Sequence, residues 1–220
     1  MEPVVIPLRT VFDRLLKRFG PQSWWPADDR FEMMVGAVLT QNTAWRNVER
    51  SLAALRQAGV LTPRALWCLP EPELQTLIRS SGFFQRKSQC LKNLARVICG
   101  PYRGRIDAFL AGDLLAVRRR LLDQPGIGPE TADCIVLYAA NLPIFVVDAY
   151  TRRIFSRLGL LDAQASYDTI QQYAMRRLPA DHALFNEFHA LLVALAKDCC
   201  RSRNPLCESC PLSDLCSFSS

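Results

Sequence analysis

An all-α fold is predicted by two features of the sequence. Apolar residues recur at helical spacing along almost the whole chain, and no run alternates apolar and polar residues as a half-buried strand would. Gly and Pro fall at regular breaks between these segments: Gly20-Pro21, Gly59, Gly82, Gly100-Pro101, Gly112, Pro125-Gly126, Leu142-Pro143 and Pro179. The periodicity predicts helices over 8–19, 31–40, 44–58, 64–68, 72–80, 85–98 and 106–111. It continues over 114–123, 129–140, 149–158, 167–177 and 183–199. A chain of 220 residues can form one compact body or two small lobes, and 50% hydrophobic content supplies a core for either.

No stretch approaches the ~18–20 uninterrupted apolar residues that span a bilayer. Met1 to Leu8 lacks the basic region and apolar run of a secretory signal, so a soluble cytoplasmic protein is expected. A net charge of +6 and a pI near 9.0 favour a polyanionic partner. Of the 27 basic residues only Lys17, Lys87, Lys92 and Lys197 are lysines. The nine cysteines are unevenly placed. Cys68, Cys90, Cys99 and Cys134 lie in apolar helical patterns, as small core residues do. The other five crowd between Cys199 and Cys216, which argues for metal ligation over a secreted disulfide framework.

The segment Pro125-Gly126-Ile127-Gly128 joins two amphipathic helices. Two glycines two residues apart suit a tight turn with positive φ, and their lack of side chains lets backbone N–H groups approach a phosphate. The following helix would aim its positive N-terminus at the same anion, while Ile127 packs inward between the helices. Such a turn grips nucleic-acid backbone without reading bases. An ordinary helix–turn–helix corner would need only Pro-Gly, and this string is more specific.

Pro-Gly-Ile-Gly-x-x-Thr-Ala resembles the helix-hairpin-helix of the endonuclease III superfamily of DNA glycosylases, and Gly126, Ile127, Gly128 and Thr131 carry the match. A second match follows, where Ile144-Phe145-Val146-Val147-Asp148 runs into the basic helix of Arg152 and Arg153. The likeness extends from about Phe31 to Cys216 and implies two lobes. Residues 28–141 would form a six-helix barrel ending in the hairpin, and 1–27 with 142–220 an iron–sulfur lobe.

On its own chemistry Asp148 is a helix N-cap. The resemblance implies a catalytic role as well, because a fixed carboxylate stabilises the oxocarbenium-like charge that develops when an N-glycosidic bond breaks. Bifunctional members of the superfamily place a Schiff-base lysine just before the Thr-Ala pair, where this chain has Glu130. A carboxylate cannot form a Schiff base, so base release without strand cleavage is expected.

Three of the four tryptophans fall within 22 residues: Trp24 and Trp25, followed by Pro26, and Trp45 after Leu-Thr-Gln-Asn-Thr. Packing at a lobe junction accounts for one of them. An extruded base also needs flat apolar walls, and a cationic alkylpurine gains cation–π attraction from indole. These elements, with Gly-Ile-Gly-x-Glu-x-Ala-Asp, resemble the 3-methyladenine DNA glycosylase III branch, which implies a base pocket of Trp24, Trp25, Pro26, Trp45 and Glu130. Gln41 matches the family's wedge beside the orphaned base, and Phe83 its second inserting side chain, with Arg86 and Lys87 placed to meet phosphate.

Cys200, Cys207, Cys210 and Cys216 give C-x6-C-x2-C-x5-C. Zinc sites favour two tight pairs, and only Cys207 and Cys210 form one. The spacing is that of the endonuclease III family, which implies a [4Fe-4S] iron–sulfur cluster, with Arg201 and Arg203 against DNA. Cys199 is left over, and His182 and His189 are expected at a helix surface or interface. The function these features predict is a monomeric, monofunctional base-excision glycosylase acting on double-stranded DNA that carries an alkylated purine such as 3-methyladenine. The alternatives are a glycosylase for uracil, a mismatched thymine or an oxidised pyrimidine, and a non-catalytic iron–sulfur protein that binds damaged DNA.

Overall fold

The computed structural model describes residues 6–218 apart from Ser23, Pro26 and Asp28. All the predicted helices are present, with ends shifted by one to three residues, and no strand occurs among the described residues. Short 3-10 turns at Arg79–Ser81, Cys207–Ser209 and Ser213–Leu215 are additional. The chain divides into two compact units, Trp25–Leu142 and Met1–Trp24 with Pro143–Ser220.

The first unit is built round α2 (Arg30–Leu39), whose residues from Phe31 to Leu39 are all buried. A helix apolar on every side must sit inside its bundle. Here α3 (Trp45–Gln57), α6 (Phe84–Cys99) and α9 (Pro129–Tyr138) pack against it. The exception in its pattern is Glu32, 2% exposed, whose Oε1 lies 2.5 Å from Arg56 of α3. Removing the half-exposed Arg56 would strand the buried Glu32 carboxylate, a loss of roughly 3–5 kcal/mol. Two short helices, α4 (Pro63–Cys68) and α5 (Glu71–Leu77), pack on α6, and α7 (Ile106–Phe109) leads to α8 (Leu114–Leu122), which pairs with α9.

In the second unit α1 (Leu8–Phe19) and α10 (Ala149–Arg157) both pack on α12 (His182–Asp198). The run Ile144 to Val147 is buried throughout, and the Phe145 ring meets those of Phe155, Phe185 and Phe188 at 5.7–6.1 Å. Such aromatic pairs add ~0.5–1.5 kcal/mol each beyond their buried area. This packing fixes the chain leading into Asp148. α11 (Tyr167–Met175) is tied to the same run by Gln171, whose side-chain amide donates to the Phe145 carbonyl at 2.7 Å. The predicted core cysteines are only partly so: Cys90 is buried, Cys99 and Cys134 are half-buried, and Cys68, the last residue of α4, is exposed.

Candidate DNA-binding and base-excision site

The hairpin is held by contacts on both sides of its turn. Ile127 is 5% exposed, and the fully buried Asp133 of α9 accepts from Arg118 Nε of α8 at 2.6 Å. Gly126 takes φ +88°, and a Cβ there would lie 3.0 Å from Cys90 Cβ and 3.2 Å from its Sγ, so both conformation and space require glycine. Gly128 differs from expectation. Its φ of −92° is open to any residue, and a Cβ there would meet nothing within 4 Å. What glycine supplies at that position is a bare helix start. No side chain caps α9, and Pro129 at its first position has no N–H to satisfy. Glu130 stands exposed in the first turn beside the buried Thr131.

Gln41 reaches this hairpin from the turn after α2. Its side-chain amide donates to the Gly126 carbonyl at 3.0 Å and to Thr131 Oγ1 at 2.9 Å. Phe83 caps α6 in the left-handed region, φ +47°, and is 64% exposed, while the neighbouring Phe84 is half-buried. Arg86 is exposed. Lys87 is not available to phosphate as expected. Its side chain folds inward, 2% exposed, and Nζ donates to the carbonyls of Leu39 at 2.8 Å and Ser81 at 2.7 Å. Burial lowers its pKa to about 8.

The tryptophans separate. Trp25 belongs to the first unit, where its ring meets Trp45 edge-on at 5.2 Å and Tyr138 at 5.5 Å. Gly36, in the middle of α2, makes room for it: a Cβ there would lie 3.3 Å from the indole. Trp45 is half-buried and donates through Nε1 to Glu49 at 2.8 Å. Trp24 falls in the second unit, with the Lys197 ammonium 5.4 Å over its ring. Pro26 lies outside the described residues. Tyr138 was not anticipated. Its signal was available, since Thr131, Ile135 and Tyr138 share one face of α9 at helical spacing.

Asp148 caps α10: Oδ1 accepts the Thr151 N–H at 2.7 Å. Its other oxygen, Oδ2, lies 3.5 Å from Nε2 of His189, and the two side chains are 15% and 7% exposed. His189 is therefore not a surface residue, whereas His182 is exposed. Phe185, Phe188 and Leu192 share its buried face of α12, a face the periodicity marks out. Burial pushes the Asp148 carboxyl up, but His189 and Thr151 together outweigh it and hold the group below the ordinary carboxylate value.

Cys200, Cys207, Cys210 and Cys216 line one cavity, walled also by Pro205, Arg157 and Phe218. The donor set suits a thiolate-bound cluster. The four cysteines line one shared space, and an Arg157 guanidinium N–H points to Cys200 Sγ at 3.4 Å. Cys199 is buried at the end of α12. Arg201 and Arg203 are exposed on the same loop, with Arg201 Nε on the Asp198 carbonyl at 3.0 Å.

An uncapped glycine hairpin, a helix-capping carboxylate and a four-thiol loop occur together in this chain, a combination that belongs to a class of DNA-repair protein. Residues 35–180 match the HhH-GPD superfamily of base excision DNA repair proteins, and residues 200–216 the iron–sulfur binding domain of endonuclease III. The chain belongs to this superfamily, is a base-excision-repair DNA glycosylase, and carries the [4Fe-4S] iron–sulfur motif of endonuclease III. It is 42% identical over 207 residues to a Methanocaldococcus jannaschii protein whose name places it among DNA repair glycosylases, covering 94% of each chain. It is 30% identical to a thymine-DNA glycosylase of Aeropyrum pernix, covering 89% of this chain and 85% of the relative. The fold superposes on endonuclease III trapped on DNA with a TM-score of 0.84, at 24% identity and 96% and 95% coverage. It also superposes on an H. pylori 3-methyladenine DNA glycosylase bound to 1,N6-ethenoadenine, TM-score 0.76, at 27% identity, covering 87% of this chain and 98% of that one. Among the described residues no helix is long and apolar enough to cross a membrane.

Proposed function

We propose that this glycosylase is monofunctional, acts as a monomer, and releases alkylated purines such as 3-methyladenine from double-stranded DNA. The observation that carries the reading is the pair of groups at the two helix starts: exposed Glu130 in the first turn of α9, where a Schiff-base lysine would stand, and the ionised Asp148 capping α10. The half-buried Trp45, edge-on to Trp25, whose ring also meets Tyr138, supports a flat pocket wall for an electron-poor base.

In this mechanism the hairpin N–H groups and Arg86 hold phosphate, while Gln41 and Phe83 enter the duplex as the target nucleotide leaves the stack. The glycosidic bond breaks with its electron pair going to the base, and a cationic alkylpurine leaves as a neutral one. The sugar is left with positive charge that Asp148 stabilises. Water adds to the sugar carbon and its proton passes to the carboxylate. Cys200, Cys207, Cys210 and Cys216 would hold the cluster, which when bound staples the C-terminal loop, with Arg201 and Arg203 towards the backbone.

The relative named as a thymine-DNA glycosylase favours a second reading, with a mismatched thymine or uracil as the target. The test is base release from methylated DNA, read by chromatography without heat or alkali, beside uracil- and mismatch-containing duplexes and with borohydride trapping. Free 3-methyladenine with uncut strands and no trapped adduct is expected. Release from the uracil or mismatch duplex alone would replace the substrate, and a trapped adduct would end the monofunctional reading.

A further inference from the structure

One buried cation is not used by this mechanism, and its position is unusual. Lys87 lies in the first turn of α6, yet its ammonium bonds two other segments: the Leu39 carbonyl, two residues before Gln41, and the Ser81 carbonyl, two residues before Phe83. Both turns contain a non-glycine residue in the left-handed region, Asn42 at φ +51° and Phe83 at φ +47°. Such conformations persist only where the surroundings hold them. The Lys87 backbone N–H also donates to the Phe83 carbonyl at 3.1 Å. From the other side Gln41 bonds the hairpin at Gly126 and Thr131, and the hairpin rests on Cys90, one turn along α6 from Lys87. The Gln41 turn, the Phe83 turn and the hairpin are thus linked through one helix.

We propose that Lys87 is a positioning residue for base flipping: its buried ammonium fixes the spacing between the Gln41 and Phe83 turns so that both side chains enter the duplex together. The proposal rests on the reading of those two residues given above. A lysine suits the task because one ammonium offers three donors, enough to bond carbonyls of two separate segments at once. Its protonated form donates the stronger bonds. The other charged groups on the surrounding elements are engaged elsewhere or point outward. Glu32 of α2 holds Arg56, Glu71 of α5 accepts from Ser88 and Gln75, Arg79 lies over the Phe84 ring, and Asp133 of α9 holds Arg118. Arg86 is exposed, and burial pushes the Cys90 thiol up to about 11.

The experiment compares wild type with Lys87→Met by three readouts: affinity for undamaged duplex, unstacking of a 2-aminopurine placed beside the target base, and excision rate. Unstacking and excision should fall by about tenfold or more while duplex affinity changes by less than about threefold, because the phosphate contacts are untouched. Equal losses in affinity and excision, or no loss in unstacking, would overturn the proposal. If the variant does not fold, the wild type itself answers. Unstacking should decline as pH rises through about 8 while duplex affinity holds, and unstacking that stays level across this range would count against Lys87. Unstacking without base release from any duplex would remove the substrate reading and leave this one standing.

Discussion

Two helices begin at the groups that matter most here, and they begin in opposite ways. α9 starts at Gly128 with no side-chain cap, whereas α10 starts at Asp148, whose carboxylate accepts the Thr151 N–H. A helix N-terminus carries about half a positive charge wherever it occurs. Left bare, it is open to an external anion, which on the reading proposed above is a DNA phosphate. Filled by its own carboxylate, it becomes a fixed anion suited to a cation that forms only during reaction. On that reading the same backbone device serves binding at α9 and catalysis at α10, and one residue decides which.

The comparison breaks most sharply at Asp148. Asp148→Asn keeps the cap geometry and removes the charge, so excision should fall by ~100–1,000-fold while DNA affinity stays within a few fold. Single-turnover base release checks this, and retained turnover would remove Asp148 from the mechanism. The reverse change is Gly128→Asp, which the open space and ordinary φ at that position permit. It should weaken duplex binding about tenfold through repulsion of phosphate, while melting temperature rises or holds because the helix gains a cap. Equal DNA affinity would show that the bare N-terminus is not the grip.

Smaller effects sharpen the catalytic side. Asp148 is held below the ordinary carboxylate value, so it stays ionised as pH falls from neutrality and is protonated only below that value. His189→Leu leaves burial acting against weaker opposition, which raises the carboxyl pKa and should move the acid limb of the pH–rate profile upward. An unmoved limb would reduce His189 to packing. Trp45→Ala should slow excision of methylated adenine by about tenfold, one lost stack, with little change in nonspecific binding. Equal losses would make Trp45 structural.

Local chemistry made most of the fold legible. Helix starts at Asp29, Thr62, Asp113, Asp148, Ser166 and Asp181 are each capped by a side chain accepting a backbone N–H, and such caps are visible in a sequence. The hairpin and the cysteine spacing were legible for the same reason. Lys87 and His189 were not. A lysine beside an arginine in the first turn of an amphipathic helix suggests phosphate contact, and only packing shows that its ammonium turns inward to two carbonyls. His189 shares a face with Phe185 and Phe188, which marks it as buried, but its partner lies 41 residues earlier in the chain, on another helix. Gly128 misled differently: a glycine chosen for what it omits has the same letter as one chosen for its φ.

The contact between Gly126 and Cys90 sets a rule for how this chain can vary. Gly126 cannot change, because its φ excludes side chains, so every adjustment of the hairpin's height falls on position 90. Serine or alanine there would leave the turn where it is. Valine or leucine would wedge it outward and carry the α9 start away from Gln41. Two residues 36 positions apart in sequence are therefore coupled, the fixed glycine at 126 limiting the size of what position 90 can hold.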